Sequence, residues 1–112
     1  MTSGNGIGME TFQQIRLKAG IVRKCRRVEK SDKLLVSQID LGEGRLRSIV
    51  SGVAEFYTPE QMVGKRVVVV ANLKPVKLRG ELSEGMLLAL DDGTTITVLE
   101  AAKTTAPGTP IR

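Results

Sequence analysis

Residues 58–71 read Thr58-Pro59-Glu60-Gln61-Met62-Val63-Gly64-Lys65-Arg66-Val67-Val68-Val69-Val70-Ala71, so a helix start, a helix stop and a strand follow one another directly. Thr58 is a good N-cap, because its side-chain oxygen can accept from a free amide of the first turn. Pro59 suits the first helical position, and Gln61 stands three residues after the cap, as a capping box requires. Gly64 ends the helix within about two turns. The β-branched run from Val67 has no polar alternation, which predicts a strand covered on both faces or nearly so.

Upstream of this helix the pattern has a period of two. Ile15, Leu17, Ala19 and Ile21 alternate with Arg16, Lys18 and Gly20, and the run turns basic at Arg23, Lys24, Arg26 and Arg27. One long strand from about Phe12 to Glu29 is expected, with a bend or bulge at Gly20. A turn at Lys30-Ser31-Asp32-Lys33 leads into a second strand, Leu34 to Leu41. Gly42-Glu43-Gly44 is a tight turn into a third strand, Arg45 to Ser51. Downstream, Met86 to Leu90 and Thr94 to Leu99 read as further strands around the turn at Asp91-Asp92-Gly93. The tail from Ala101 to Arg112 reads as irregular.

The tally is three strands, a short helix, then two or three strands. That is the pattern of an all-β, five-stranded Greek-key OB-fold barrel with a short helix between strands three and four, plus C-terminal extension strands. An SH3-like barrel is the competing architecture, and the position of the helix argues against it. Residues 1–8 are polar and glycine-rich and read as a flexible N-terminal tail, which leaves 9–112 as the domain.

The chemistry available is narrow. With 112 residues and no histidine, the chain lacks Ser-His-Asp and Cys-His nucleophile systems and histidine-rich metal sites. No metal set, no cofactor motif and no catalytic residue is expected, so the chain reads as a non-enzyme. The single cysteine, Cys25, is either a small strand residue or a thiol activated by its basic neighbours. No run is apolar enough for a membrane helix, and nothing looks like a signal peptide, which points to the cytoplasm.

Charge is uneven. Residues 1–33 hold eight Lys or Arg against three Asp or Glu, a net +5, whereas the rest hold nine of each and sum to zero. A basic stripe of this kind is the footprint of a polyanion binder, or simply a well-charged surface. The most informative segment is Asn72-Leu73-Lys74-Pro75-Val76-Lys77-Leu78-Arg79-Gly80-Glu81-Leu82-Ser83-Glu84-Gly85-Met86, expected to be a loop at the barrel rim. Lys74, Lys77 and Arg79 are spaced to meet successive phosphates, and Ser83 can donate to phosphate or ribose.

This segment, with Ser51-Gly52 and Tyr57-Thr58-Pro59-Glu60, resembles the tRNA-binding domain family, which includes the C-terminal domain of bacterial methionyl-tRNA synthetase and free-standing structure-specific tRNA-binding proteins. Ser31-Asp32-Lys33-Leu34 and Pro107-Gly108 resemble it too. The likeness implies an OB-fold core, tRNA held by its folded shape at the outer corner, a homodimer, and an aminoacyl-tRNA synthetase as a possible partner. By the same resemblance tRNA contact falls on Lys33, Ser51, Asn72, Arg79, Ser83, Glu84 and Met86. Glu84 is expected to orient neighbours or accept from a base or ribose, and Met86 is either a rim contact or core. The family's Asp-Leu-Arg-Val-Gly run is Arg16-Leu17-Lys18-Ala19-Gly20 here, which makes this strand more basic.

Only Phe12, Phe56 and Tyr57 are aromatic, too few for the stacking platforms of single-strand binders. Recognition by backbone charge and shape fits better. The alternative is an export-chaperone-like or protein-interaction OB module, a branch that looks poorer in the Arg-Gly…Ser-Glu-Gly-Met pattern kept here. Ile96, Val98 and Leu99 either pair across a dimer interface or complete the monomer core.

Overall fold

The computed structural model describes residues 4–112. The elements run α1 (Met9–Phe12), β1 (Leu17–Arg27), β2 (Leu35–Asp40), β3 (Leu46–Ser51), α2 (Pro59–Met62), β4 (Arg66–Val70), β5 (Val76–Leu78), β6 (Glu81–Ser83), β7 (Met86–Leu87), β8 (Ala89–Asp91), β9 (Ile96–Val98) and β10 (Pro110–Ile111). The main sheet has the order β3-β2-β1-β4-β7, with β10 pairing β1, and every pairing is antiparallel. Two hairpins, β5-β6 and β8-β9, stand outside it. This curled, nearly all-β sheet with a short helix between β3 and β4 is the expected OB-like barrel.

β1 is the shared strand. Leu17 to Ile21 pair with β4, and Ile21 to Arg27 pair with β2, so the strand serves both halves of the barrel. A register shift between Val22 and Lys24 makes the turn from one partner to the other. The bulge is therefore past Gly20, not at it. Gly20 instead permits close packing, since a Cβ there would sit 2.5 Å from Ile39 Cγ2 and 2.8 Å from Leu41 Cδ2. The strand starts at Leu17 rather than Phe12, because Met9–Phe12 wind into α1, capped by Gly8 without a side-chain bond. Of the expected flexible tail, residues 1–3 lie outside the described residues, and residues 4–8 are exposed.

The core is built from alternate residues of these strands. Leu35, Ile39 and Leu41, expected on one face, are all buried with Val22, Ile49, Val67 and Val69. In β4 the valine run is buried at Val67, Val69 and Val70 and half-exposed at Val68. On the opposite face of the β1-β2-β3 sheet, Val28, Val36 and Val50 form a second small cluster with Leu34. α2 starts with both halves of the capping box: Gln61 N–H donates to Thr58 Oγ1 (3.2 Å) and Thr58 N–H donates to Gln61 Oε1 (2.8 Å). Its Met62 is fully buried and plugs the barrel, and Gly64 leaves the helix with φ 93°. Cys25 faces inward, with the Ser37 hydroxyl donating to its Sγ at 3.5 Å, and burial pushes its thiol pKa up despite the basic neighbours.

The C-terminal segment is more ordered than its composition suggests. Gly108 N–H donates to Ala19 O (2.7 Å) and Ala19 N–H donates to Thr109 O (2.9 Å), which brings β10 onto the start of β1. Val98 is buried in the core and Ile96 packs against it, so these two residues complete the monomer.

Gly20→Ala should destabilise the chain by about 1–3 kcal/mol, the usual cost of overpacking a closed core. Equilibrium urea denaturation measures it; an unchanged midpoint would show that β1 and β2 can separate without strain.

Candidate nucleic-acid interface

The segment expected to be a loop is a β-hairpin. Val76, Lys77 and Leu78 pair with Ser83, Leu82 and Glu81, leaving Arg79-Gly80 as a two-residue connection. Both residues have positive φ, 52° for Arg79 and 80° for Gly80, the signature of a type I′ turn. Asn-Gly is the usual choice there. An arginine in the left-handed region costs roughly 1–2 kcal/mol, and such outliers collect where function holds them. The turn lifts Arg79 to the hairpin tip, where it is exposed. Lys74 and Lys77 are exposed as well, and among the described residues neither they nor Arg79 nor Lys33 joins an ion pair.

Side chains attach this hairpin to the barrel. Its tip is tied to β1 by a bidentate bond from Arg26 to Glu81 (2.8 and 3.1 Å). Its root is tied to β3. Val50 N–H donates to Ser83 Oγ (3.0 Å), and that hydroxyl donates to Gly85 O (3.0 Å). Glu84 N–H donates to Ser48 O (2.7 Å), Ser48 N–H donates to Glu84 Oε1 (3.1 Å), and Arg45 donates to Glu84 Oε2 (2.7 Å). Ser83 and Glu84 thus close the seam between β3 and the β6–β7 strands. Ser83 is only 2% exposed, and both of its hydrogen-bonding roles are filled within the chain.

The other predicted contacts fall in three places. Lys33 lies in the β1–β2 loop, where its carbonyl accepts from Ala54 N–H (3.1 Å) and its ammonium is free. Ser51 ends β3 opposite Leu35, and its buried hydroxyl has no partner. Asn72 works at the far end: its Oδ1 accepts from Arg16 N–H (2.8 Å) and its Nδ2 donates to Gln14 O (2.7 Å), pinning the segment before β1. Met86 pairs with Val70 and stays half-exposed at the rim. The hairpin tip and the β1–β2 loop share one rim, since Arg26 near the end of β1 holds Glu81 beside the tip. That rim also carries Lys30, left-handed at φ 64°, which the sequence pattern does not single out; its place beside Ser31-Asp32 in a turn is the only local signal.

The basic stripe is partly neutralised. Asp40 pairs with Arg23 and Glu81 with Arg26, leaving Arg16, Lys18, Lys24, Arg27, Lys30 and Lys33 without ion pairs among the described residues. The aromatics build no platform: Tyr57 accepts from Val98 N–H through its hydroxyl (3.0 Å) and packs on the core, away from a stacking role.

A barrel of this kind, with free cations on a rim hairpin and the adjoining loop, belongs to the class of OB-like nucleic-acid binders. Residues 17–110 match the family model described as "Putative tRNA binding domain", and the chain belongs to that family. It is 49% identical over 106 residues to a methionine–tRNA ligase of Listeria monocytogenes, covering 95% of this chain and 16% of that protein. A methionine–tRNA ligase of Methanocella arvoryzae is likewise 49% identical over 107 residues, covering 95% of this chain and 15% of the relative. The chain therefore spans about a sixth of the length of these relatives. Among solved structures, a methionyl-tRNA-synthetase-related protein from Pyrococcus horikoshii superposes with a TM-score of 0.89 at 28% identity, covering 95% of this chain and 97% of that one. The chaperone CsaA from Bacillus anthracis shares the fold, with a TM-score of 0.84 at 23% identity and coverage of 95% and 98%.

The seam carries a pH signature. Hydrogen bonds from Arg45, and then from the Ser48 amide, hold the Glu84 carboxyl below its ordinary value of 4.5, and Arg47 does the same for Glu43. A depressed carboxyl contributes its full stabilisation above its unfolded pKa and loses it as pH falls through the folded one. Thermal stability should hold between pH 5 and 7 and decline below about 4, and Glu84→Gln should flatten that decline in melts followed by circular dichroism.

Proposed function

We propose that residues 9–112 form a non-catalytic module that binds folded tRNA through its phosphate backbone, using Arg79, Lys77 and Lys74 on the hairpin and Lys33 on the β1–β2 loop. The observation that carries the reading is Arg79, an unpaired cation held at the tip of a type I′ turn in a chain of the tRNA-binding domain family. Phosphate contact fits exposed, mobile-headed cations, and outer-corner recognition fits a surface without stacked aromatics. In this reading Ser83, Glu84 and Asn72 act by shaping the interface, because their polar atoms are already committed inside the chain. The module works appended to, or beside, a methionyl-tRNA synthetase in the cytoplasm, raising the local tRNA concentration near that enzyme. Among the described residues no helix is long and apolar enough to cross a membrane.

A homodimer belongs to this proposal. Met9, Phe12 and Ile15 of the α1 region stand exposed beside Leu17, Pro110 and Ile111, and together they line an open groove of about 880 Å³. Arg16, Lys18 and Arg112 line the same groove, and an apolar patch bordered by charged side chains in this way suits a two-fold contact that would set two basic rims side by side. Phe12→Lys should shift the chain from dimer to monomer in sedimentation at micromolar concentration; a wild-type chain that is monomeric there rejects this part.

The test of tRNA binding is a titration with total tRNA at two salt concentrations, with single-stranded and double-stranded RNA and an unfolded polypeptide as competitors. Folded tRNA should win, and affinity should fall steeply with salt. Arg79→Asn keeps the left-handed turn, so it should leave the melting temperature unchanged or raised while reducing the salt slope by about one, as should Lys33→Ala. Equal binding of all three RNAs would leave only a generic basic barrel, and polypeptide binding without RNA binding would favour the chaperone reading.

A further inference from the structure

Resting on the tRNA-binding reading, we infer that Arg47 is the positioning residue of the interface: one guanidinium clamps the neck of the excursion that carries Lys74, Lys77 and Arg79. The excursion leaves the main sheet after β4, at Ala71, and returns at Glu84, just before β7. Arg47 Nη1 donates both to Ala71 O, at the exit, and to Glu84 O (3.1 Å), at the return. The rest of the fork is fixed from behind, with Nε and Nη2 donating to the two oxygens of Glu43 at 2.9 and 2.7 Å. The Arg47 side chain is 16% exposed, so the neck is largely shielded from competing water.

No backbone ladder joins the β5-β6 hairpin to the main sheet. Its orientation therefore depends on one backbone bond, Glu84 N–H to Ser48 O, and on side chains: the exposed Arg26–Glu81 pair at the tip, the Ser83 and Glu84 side-chain bonds at the root, and Arg47 at the neck. An exposed pair is worth little and is screened by salt. A planar, nearly buried arginine holding two carbonyls and a carboxylate is a rigid anchor, and lysine cannot reproduce that fork. Arg47 sits at the neck, and four of its five guanidinium N–H groups are taken by Ala71 O, Glu84 O and Glu43, so the side chain is committed to the chain itself rather than to phosphate. It lowers the ordering cost of binding by keeping the three cations in place.

The test compares Arg47→Met and Arg47→Lys with wild type in the tRNA titration and in native-state hydrogen exchange. Arg47→Met should weaken tRNA binding by about ten-fold, the low end for groups that orient a binding residue, while leaving the salt slope as in wild type. Amides of residues 76–83 should exchange at least about ten-fold faster, with β1 and β2 amides unchanged. Arg47→Lys should restore little of either. A purely structural role would accelerate exchange throughout the sheet, and direct phosphate contact would cut the salt slope by about one; either result overturns the inference. So does unchanged binding with unchanged hairpin exchange. If Arg47→Met does not fold, Glu43→Gln frees the fork more gently and should give the same pattern at about three-fold, and no change in the hairpin amides then rejects the clamp. If wild type binds no tRNA, the proposed function fails by itself, and the exchange pattern still decides whether Arg47 holds the hairpin.

Discussion

One strand supplies the hydrogen-bonding frame for the whole barrel. The first half of β1 pairs with β4 and its second half pairs with β2, with Ile21 facing partners on both sides. A strand can do this only if it bends sharply between the two pairings. The register shift at Val22–Lys24 provides the bend, and Gly20 lets the sheet fold down on Ile39 and Leu41. β10 then takes part of the same strand, through Leu17 and Lys18. With β1 coiled in this way, β3 and the β6–β7 strands are brought face to face across a seam.

That seam is closed mainly by side chains. Ser83 and Glu84 accept from the Val50 and Ser48 amides, replacing ladder bonds that the short, irregular strands do not make. Backbone amides left unpaired at such an edge would cost roughly 1–3 kcal/mol each, so these two side chains are under a strong structural constraint. Residues that resemble ligand contacts in sequence are thereby accounted for by the fold. The cations are free because the acids nearby are engaged elsewhere: Glu84 with Arg45, Glu43 with Arg47, Glu81 with Arg26. The acidic groups near the rim thus act as internal ties, and the unpaired positive charge there comes from Lys30, Lys33, Lys74, Lys77 and Arg79.

Arg79 shows how local strain and function meet. A type I′ turn with Asn-Gly would hold the same hairpin with less strain, and arginine there gains nothing from packing. It stands exposed at the tip, without an ion-pair partner among the described residues. The apolar face beside α1 has the same character, since Phe12 and Ile15 are exposed without a covering element of this chain.

Much of this was legible in the sequence. The capping box at Thr58 and Gln61, the stop at Gly64 and the buried valine run depend on neighbours a few residues apart, and short-range chemistry decides them wherever the segment lies. The alternation of Leu35, Ile39 and Leu41 fixed one face of β2 for the same reason. Other features had no local signal. Phe12 stands just ahead of the alternating run that begins at Ile15 yet falls in α1, with no strand beside it to pair. The Arg79-Gly80 hairpin looked like a loop, since arginine is a poor marker of a left-handed turn. The tail became β10 only because Gly108 meets Ala19. Sequence by itself determined α2 and the strands that flank it, the family and the cationic character of the rim, all properties of residues and short runs. Tertiary structure alone decided which polar groups face inward: whether Ser83, Glu84 and Asn72 meet a ligand or a backbone amide depends on partners 33 to 58 residues away. Such pairings exist only once β1 has coiled and the seam has closed.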